Sequence, residues 1–291
     1  MAPTVLLVNP SAGGGAALRA AQAAERRCRE RGLAVEVRAA KQPGDIELWA
    51  RRLAAEGAER VLVCGGDGTV HEAANALGGT ATVLGIIPAG RGNDLAAVLR
   101  IPAIPSAAVE VFLDGSVRRI DLGAANGRRF TTVLALGLDA EVALRTRAGV
   151  WSHGGRLGYV ACAVSRLFRY RAPWLIVSGD FGRREGRYLL CAVSNTGRYG
   201  GGVRIAPGSS VDDGQLDVCL VRDLPRWKAL RLIPLVLRGR HAGLKEVELL
   251  RSTWVQLESD RVSPIVVDGE PAGTTPARVT IEPGALRVMT P

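Results

Sequence analysis

Residues 60–77 have the sequence RVLVCGGDGTVHEAANAL. The run Arg60–Cys64 is typical of a buried strand, the glycines of a tight turn, and Val70–Leu77 of a helix. Glycine lets the backbone approach a ligand closely, and the free N–H groups at a helix start attract anions. The stretch Gly65–Thr69 therefore predicts a phosphate-binding turn between a strand and a helix.

The same strand, turn and helix unit recurs on both sides of this stretch. Upstream, TVLLV leads into NPSAGGG at residues 9–15, and downstream VLGIIP leads into AGRGND at residues 89–94. Apolar strands that alternate with helices indicate a parallel sheet covered on both faces, whose loops converge at the carboxyl edge. These loops contain neither GxxxxGK[ST] nor GxGxxG, which argues against a P-loop NTPase and a Rossmann dehydrogenase.

The pattern changes after about residue 121. Short apolar segments bounded by Gly, Asp and Pro follow one another, with helical stretches at Ala140–Phe168 and Arg226–Arg240. Such spacing favours antiparallel strands. We therefore predict an α/β fold with two domains: a parallel-sheet domain at residues 1–121 and a β-rich domain at residues 122–291.

Composition limits the partners. The 291 residues include 38 Lys+Arg and 28 Asp+Glu, a net charge of +10, which favours anionic partners. Five cysteines without a CxxC pair argue against a disulfide framework or a thiolate zinc site and indicate a reducing cytoplasm. No apolar run reaches the ~18 residues of a membrane span, so any membrane contact is expected to be peripheral. The tryptophans lack the aromatic pattern of an RNA-binding sheet, and we expect no nucleic-acid partner.

Three motifs together resemble the catalytic domain of the diacylglycerol kinase family, specifically the bacterial soluble lipid kinases. They are NPSAGGG, GGDGTVHEAANAL and LGIIPAGRGNDLA, and the resemblance continues through APGSSVDDGQLDV and VVDGEPAG. It implies an ATP-binding α/β domain and a β-sandwich-like lipid-binding domain, and it allows the last residues to return to the first domain.

The resemblance also implies which residues bind the nucleotide. Asp67 would act through a divalent cation, and the alternative for the loop on its own is a tight turn in which Asp67 is a cap. Two positions depart from the family pattern, since Ala40 and Arg91 replace threonines that contact the nucleotide in relatives. The ATP-binding residues implied are Asn9, Gly65, Gly66, Asp67, Gly68, Thr69, Gly90, Arg91 and Asn93.

A second acidic motif is Asp268-Gly269-Glu270, after the apolar strand SPIVV. Extended geometry would place Asp268 and Glu270 on one face, while an Asp-Gly pair is also an ordinary hairpin turn. The family resemblance makes Asp268 the catalytic base that takes the proton from the acceptor hydroxyl. It makes Glu270 a residue that holds a metal or orients the base.

A third acidic segment is VDDGQLD at residues 211–217, whose carboxylates suit a hard cation. Without the family a solvated acidic turn is the ordinary interpretation. The resemblance implies a structural Mg²⁺ held by the Asp213 side chain and by main-chain oxygens near Ser210 and Gln215.

The stretch Arg226–Arg240 interleaves Trp, Leu and Ile with basic residues, which is typical of a membrane-surface helix. A core helix with a solvated basic face is the alternative, and Pro234 is expected to interrupt it. Of the histidines, His153 is a catalytic candidate or an exposed loop residue, and His71 is expected at the surface.

The sequence therefore predicts an ATP- and Mg²⁺-dependent kinase that phosphorylates a lipid hydroxyl, with diacylglycerol giving phosphatidic acid. A sphingoid base, a ceramide-like lipid or a glycolipid is left open as acceptor. The alternatives are an NAD kinase-like enzyme and a non-catalytic lipid- or nucleotide-binding protein. We expect a cytoplasmic protein that associates peripherally with anionic membranes, and a homodimer is left open.

Overall fold

The computed structural model describes residues 4–147 and 155–291. The chain forms two compact units. One consists of Met1–Leu122 with Pro283–Pro291, and the other of Gly123–Glu282. The long strands β5 (Ser116–Ala125) and β15 (Ala277–Thr290) each begin in one unit and end in the other. The second crossing therefore returns the end of the chain to the first unit.

The first unit is built on a parallel sheet in the order β2-β1-β3-β4. The end of β15 lies beside β4, with Arg287 and Val288 paired in parallel to Val83 and Leu84. The strands are β1 (Thr4–Val8), β2 (Val35–Ala39), β3 (Arg60–Gly65) and β4 (Val83–Pro88). The helices are α1 (Ala16–Glu30), α2 (Asp45–Ala55), α3 (Asp67–Leu77), α4 (Asp94–Val98) and α5 (Pro105–Asp114).

Helix α3 begins at Asp67, three residues before the predicted start at Val70. The carboxylate in the first turn favours this start because it faces the positive end of the helix dipole. The Gly-Asp-Gly-Thr segment therefore belongs mostly to the helix, and only Gly65 and Gly66 make the turn.

The second unit is antiparallel, as predicted. Its strands run in the order β14-β13-β7-β9-β8-β12. Strand β10 also pairs with β9 and β11 pairs with β10, while β12 pairs with the start of β15. The strands are β6 (Arg128–Phe130), β7 (Val133–Gly137), β8 (Trp174–Gly179), β9 (Gly182–Ser194), β10 (Leu216–Arg222), β11 (Val247–Ser252), β12 (Trp254–Ser259), β13 (Pro264–Val267) and β14 (Glu270–Thr274). The helices are α6 (Leu138–Arg147), α7 (Gly155–Leu167) and α8 (Arg226–Leu237).

The second half of β9, from Tyr188, and strand β10 are buried on both faces, which explains their nearly continuous apolar sequences. Tyr188, Cys191 and Val193 of β9 pack into one hydrophobic core of the second unit. Leu189 and Ala192 point the other way, into a second core that includes Leu167 of α7 and residues Ala229 and Leu232 of α8. The expected α/β fold, with a parallel-sheet domain and a β-sandwich-like domain, is confirmed.

The expectation that Pro234 interrupts the helix is wrong, because α8 continues through it to Leu237. Proline removes one helical hydrogen bond, and the cost is lower where water can solvate the freed carbonyl. Pro234 lies on the exposed side of α8, where this condition is met. His153 lies outside the described residues.

Candidate functional site

The loops after β1, β3 and β4 lie side by side at the carboxyl edge of the parallel sheet. The N–H of Asn9 donates to the carbonyl of Cys64 at 3.0 Å, and the N–H of Ala89 donates to the carbonyl of Gly65 at 2.8 Å. Gly13 has a φ of +61°, and a Cβ there would lie 2.2 Å from the Ala89 carbonyl oxygen. The three predicted loops are therefore brought together, and the spacing between the first and third requires glycine at position 13.

The second and third loops make their closest approach through glycine alone. A Cβ on Gly90 would lie 2.3 Å from the Cα of Gly66, closer than any two carbon atoms can pack. The side chain of Asn93 then closes the third loop on itself. Its Oδ1 accepts the Gly90 N–H at 2.8 Å, and its Nδ2 donates to the Gly90 carbonyl at 2.9 Å.

Asp67 joins the second loop to the third. Its Oδ2 accepts the N–H of Asn93 at 2.9 Å, and its Oδ1 accepts the N–H of Asp94 at 2.7 Å. The carboxylate thus binds the start of α4, whose N–H groups would otherwise be unpaired. Asp67 therefore has a structural contact that the sequence did not predict.

The remaining nucleotide-binding candidates of this edge differ in accessibility. Gly68 and Arg91 are exposed, whereas Thr69 is 1% exposed and its hydroxyl is buried against Gly65. Asn9 uses its side-chain oxygen to accept the N–H and the hydroxyl of Ser11. The Thr69 hydroxyl therefore does not face solvent, whereas Gly68 and Arg91 are accessible.

Two further residues near this edge differ from what the sequence indicated. His71 is 1% exposed rather than at the surface, and its ring nitrogen lies 3.3 Å from the amide of Asn75. Ala40, which replaces a threonine of the family, donates its N–H to the Val8 carbonyl at 2.8 Å. Position 40 thus keeps a main-chain role, and what the smaller side chain lacks is a hydroxyl.

In the second unit, the carboxylate of Asp268 is surrounded by donors from one short segment. Its Oδ2 accepts the N–H of Thr131 at 2.7 Å and the Thr131 hydroxyl at 3.1 Å. Its Oδ1 accepts the N–H and hydroxyl of Thr132 at 2.8 and 2.6 Å, and the N–H of Val133 at 3.2 Å. Charge-assisted hydrogen bonds of this kind stabilise the ionised carboxylate and fix its position. Sequence reasoning missed Thr131 and Thr132, because they look like ordinary strand residues.

The extended geometry expected for Asp268 and Glu270 is wrong. Asp268 and Gly269 have φ values of +49° and +87° and form the two-residue turn between β13 and β14. Positive φ at both positions is the backbone that Asp-Gly favours in a hairpin. Glu270 begins β14 and forms an ion pair with Arg147 at the end of α6. Arg147 was not among the predicted residues.

The acidic segment before β10 was tested for its fit to a cation. Asp213 accepts the N–H of Gln215 at 3.1 Å and is paired with Arg251, while the hydroxyl of Ser210 donates to Asp212. Asp217 is half-buried and its Oδ1 lies 3.3 Å from Nε of Arg251. Its Oδ2 has no hydrogen-bond partner, and burial raises the pKa of this carboxyl. Carboxylate and main-chain oxygens are the donors that Mg²⁺ prefers, and in this structure Arg251 is the cation that contacts Asp213 and Asp217. No cluster of three or more His, Cys, Asp or Glu side chains suited to a metal occurs within residues 4–147 and 155–291.

An apolar cavity of about 120 Å³ lies in the second unit, between its helices and strands β9 and β10. Helix α7 contributes Val160, Ala163 and Leu167, and helix α8 contributes Ala229, Leu232, Ile233 and Val236. Asp139 and Tyr199 are the lining residues of the described chain that carry polar groups. A mostly apolar lining of this kind suits a hydrocarbon ligand.

Comparison with known proteins identifies the family. Residues 3–125 match the family described as "Diacylglycerol kinase catalytic domain", and residues 132–290 match "YegS C-terminal NAD kinase beta sandwich-like domain". The chain is a member of the diacylglycerol kinase catalytic-domain family. The resemblance found in the sequence is thereby confirmed, and the protein is a kinase.

Full-length relatives agree with this assignment. The chain is 36% identical over 292 residues to a "Diacylglycerol kinase" of Mycobacterium tuberculosis, covering 98% of this chain and 94% of the relative. It is 31% identical over 274 residues to a "Probable lipid kinase YegS-like" of Xanthomonas euvesicatoria, covering 90% and 89%. The crystal structure of a diacylglycerol kinase from Bacillus anthracis superposes with a TM-score of 0.76 at 19% identity, covering 99% and 97%. At that identity the superposition supports the fold alone.

Proposed function

We propose that this kinase transfers the γ-phosphoryl group of ATP to the hydroxyl of diacylglycerol, giving phosphatidic acid and ADP. The observation that carries the proposal is the apolar cavity in the second unit, because a hydrocarbon chain is the ligand that such a lining favours. The main-chain donors and Arg91 at the glycine-rich loops suit the phosphates of ATP. The chemistry that Mg²⁺ supplies in such a site is neutralisation of phosphate charge.

Asp268 is the proposed base for the acceptor hydroxyl. Thr131 and Thr132 fix the position of its carboxylate through their backbone N–H groups and hydroxyls. Glu270 and Arg147 form a neighbouring ion pair that holds the strand following the turn. In phosphoryl transfer the protein mainly positions the nucleophile and neutralises charge, so a rigidly held carboxylate fits this role.

The acceptor is tested by incubating the protein with ATP, Mg²⁺ and a total lipid extract, and by mass spectrometry of the phosphorylated products. Parallel reactions contain pure diacylglycerol, a sphingoid base, ceramide, a glycolipid or NAD. Phosphatidic acid as the main product supports the proposal. Phosphorylation of NAD in place of any lipid would refute it, and phosphorylation of a different lipid would change the acceptor.

The cavity is tested by filling it. Ala163→Phe places a ring into the cavity from α7, and Ser165→Phe places the same ring on the exposed side of that helix. We expect Ala163→Phe to raise KM for long-chain diacylglycerol at least ~10-fold while KM for ATP stays within about threefold, and Ser165→Phe to change neither. Equal KM values for lipid in the two variants would mean that the cavity does not hold the acyl chain.

A further inference from the structure

Large apolar side chains are exposed around the end of α7 and the start of α8. Phe168 is 60% exposed, Trp227 55% and Val262 76%. Exposed arginines lie between them in the sequence. We call this surface the aromatic–basic patch and define it as Phe168, Arg171, Trp227, Arg231, Arg261 and Val262.

The patch is one continuous surface, because hydrogen bonds join its three chain segments. Arg226 at the start of α8 donates to the carbonyl of Tyr170 at 2.6 Å, which holds Trp227 beside the segment that follows α7. Arg261 donates to the carbonyl of Arg171, and this contact places Val262 next to the same segment. The apolar side chains are therefore neighbours although they are distant in sequence.

The charge of the patch is positive. Among the described residues, no carboxylate lies within salt-bridge distance of Arg171, Arg231 or Arg261, whereas nearby Arg226 is paired with Asp223. Trp227 is flanked by two cations, Lys228 at 5.6 Å and Arg231 at 5.1 Å from the ring centroid. Tryptophan among basic side chains is typical of the interface between water and an anionic bilayer, where the ring lies at the headgroups.

Helix α8 connects the patch to the cavity. Trp227 and Arg231 lie one turn apart on its exposed face, while Ala229, Leu232 and Ile233 on its other face line the cavity. Phe168 follows directly on Leu167, which also lines the cavity. Helix α8 and the residue that follows α7, two of the elements beside the cavity, therefore each place an exposed aromatic side chain at the patch.

We propose that the aromatic–basic patch docks the second unit onto an anionic lipid bilayer. Charge complementarity selects the occupant, since arginines without a carboxylate partner attract anionic headgroups and the aromatic rings enter the interface. The consequence for access, that a lipid passes from the bilayer to the cavity along α7 and α8, rests on the proposed function. The docking itself does not, because it requires neither nucleotide nor catalysis.

Sedimentation with vesicles of phosphatidylglycerol and phosphatidylcholine, without ATP, tests the charge. The triple variant Arg171→Gln, Arg231→Gln, Arg261→Gln is compared with Arg19→Gln, Arg26→Gln, Arg52→Gln, which removes the same charge from exposed helical positions of the first unit. Each interfacial basic residue contributes roughly fivefold in binding, so we expect about 100-fold weaker binding for the patch variant and little change for the control. Equal losses of vesicle binding in both variants would refute the role of the patch. It would also be refuted if the wild type bound vesicles of pure phosphatidylcholine as strongly as the mixed vesicles.

Quenching by brominated phospholipids tests the aromatic part. We expect tryptophan fluorescence of the wild type to be quenched on vesicles, and most of that quenching to be absent in Trp227→Phe. Val262→Ser should also weaken binding severalfold, whereas Val117→Ser, at a position 50% exposed in the first unit, should not. Quenching unchanged by Trp227→Phe would mean that another surface meets the bilayer, or that the patch binds a protein instead.

A third measurement separates this inference from the proposed function. A short-chain diacylglycerol dissolved as monomers needs no docking, so the triple patch variant should phosphorylate it within about threefold of the wild type. If the wild type binds vesicles through the patch and phosphorylates no lipid, the proposed function fails and the docking surface stands. If it phosphorylates lipids and the patch variant binds vesicles like the control, the docking surface fails and the function stands.

Discussion

Asp67 shows how one residue serves both the fold and the site. Its carboxylate accepts the N–H groups of Asn93 and Asp94, so it fixes the third loop before any nucleotide binds. Asp268 has the same double character in the second unit, where Thr131, Thr132 and Val133 donate to it. At both positions a substitution therefore removes a scaffold contact together with any chemical role.

We predict that Asp67→Ala lowers kcat/KM for ATP at least ~100-fold, or ~2.7 kcal/mol, because the third loop loses its anchor and the phosphate site loses a carboxylate. Steady-state kinetics measure the effect. Asp45→Ala is the matched control, since Asp45 also accepts two backbone N–H groups, those of Lys41 and Gln42, near a helix start. A loss below about threefold in Asp67→Ala, or the same loss in both variants, would contradict a role specific to position 67.

For Asp268 we predict that Asn lowers both turnover and stability. The amide NH2 of asparagine would face backbone N–H donors of Thr131 and Thr132, so hydrogen bonds are lost as well as the base, and turnover should fall ~10²-fold or more. The double variant Thr131→Val, Thr132→Val removes hydroxyl donors and keeps the carboxylate. Thermal unfolding and turnover are measured on both. If the two variants lose equal turnover at equal stability, Asp268 acts only as a scaffold residue.

At the scale of elements, the site depends on two loops that approach without side chains. We predict that Gly90→Ala abolishes detectable ATP binding by calorimetry, because the new Cβ would lie 2.3 Å from the Cα of Gly66 and force the loops apart. Gly57→Ala is the control, since φ is +82° there and a Cβ meets no atom within 4 Å. Both variants are expected to lose stability, and only Gly90→Ala to lose the nucleotide. Retained ATP affinity in Gly90→Ala would mean that the two loops can move apart without disturbing the nucleotide site.

Two hairpins of the second unit are joined by a single carboxylate. Asp180, in the turn between β8 and β9, accepts the N–H of Thr253 at 2.7 Å and its hydroxyl at 2.8 Å. Two hydrogen bonds from Thr253 lower the pKa of the Asp180 carboxyl, and that of the backbone N–H has a larger effect than that of the hydroxyl. A carboxyl whose pKa is lowered on folding contributes stability above the unfolded pKa of ~3.9 and loses it as the pH falls through the lower folded value.

We therefore predict that Asp180→Asn lowers the melting temperature at pH 6 and that the difference from wild type narrows as the pH falls below about 4. Calorimetry or circular dichroism at several pH values measures this. Asp260→Asn serves as a second variant, because Oδ1 of Asp260 also accepts a backbone N–H in this unit, that of Trp174, at 3.1 Å. A melting-temperature difference for Asp180→Asn that is constant with pH would show that the carboxyl is not responsible.

The whole molecule depends on its last strand, because β15 completes the sheet of the first unit. Val288 is fully buried and pairs with Leu84 in the middle of β4. We predict that Val288→Ala lowers the free energy of unfolding by about 2 kcal/mol, as expected for a cavity in a sheet core. Val117→Ala, at an exposed position of the same unit, should change it by less than ~0.5 kcal/mol. A denaturant titration monitored by ATP binding reports on the unfolding of the first unit. Equal changes in the free energy of unfolding for Val288→Ala and Val117→Ala would show that the end of the chain is dispensable.

Much of this organisation was predicted from local patterns. The strand and helix order of the first unit follows from apolar runs and glycines, because parallel strands buried on both faces have few other compositions. The glycines of the three loops were identified correctly as neighbours, since the carboxyl ends of parallel strands share an edge. Helix starts were less exact, as at Asp67, because a cap depends on contacts across the turn.

The sequence by itself determined the fold class, the family and the candidate loops, because each depends on residues close together in the chain or on ordered motifs. The tertiary structure decided which groups meet: the donors on Asp268, the pairing of Asp213 with Arg251, the burial of His71 and the cavity beside α8. The continuity of α8 through Pro234 was decided in the same way, by its exposed position. These contacts join residues up to 137 positions apart. Local propensity cannot specify them, since such pairs form only when the packing of whole elements brings them within hydrogen-bonding distance.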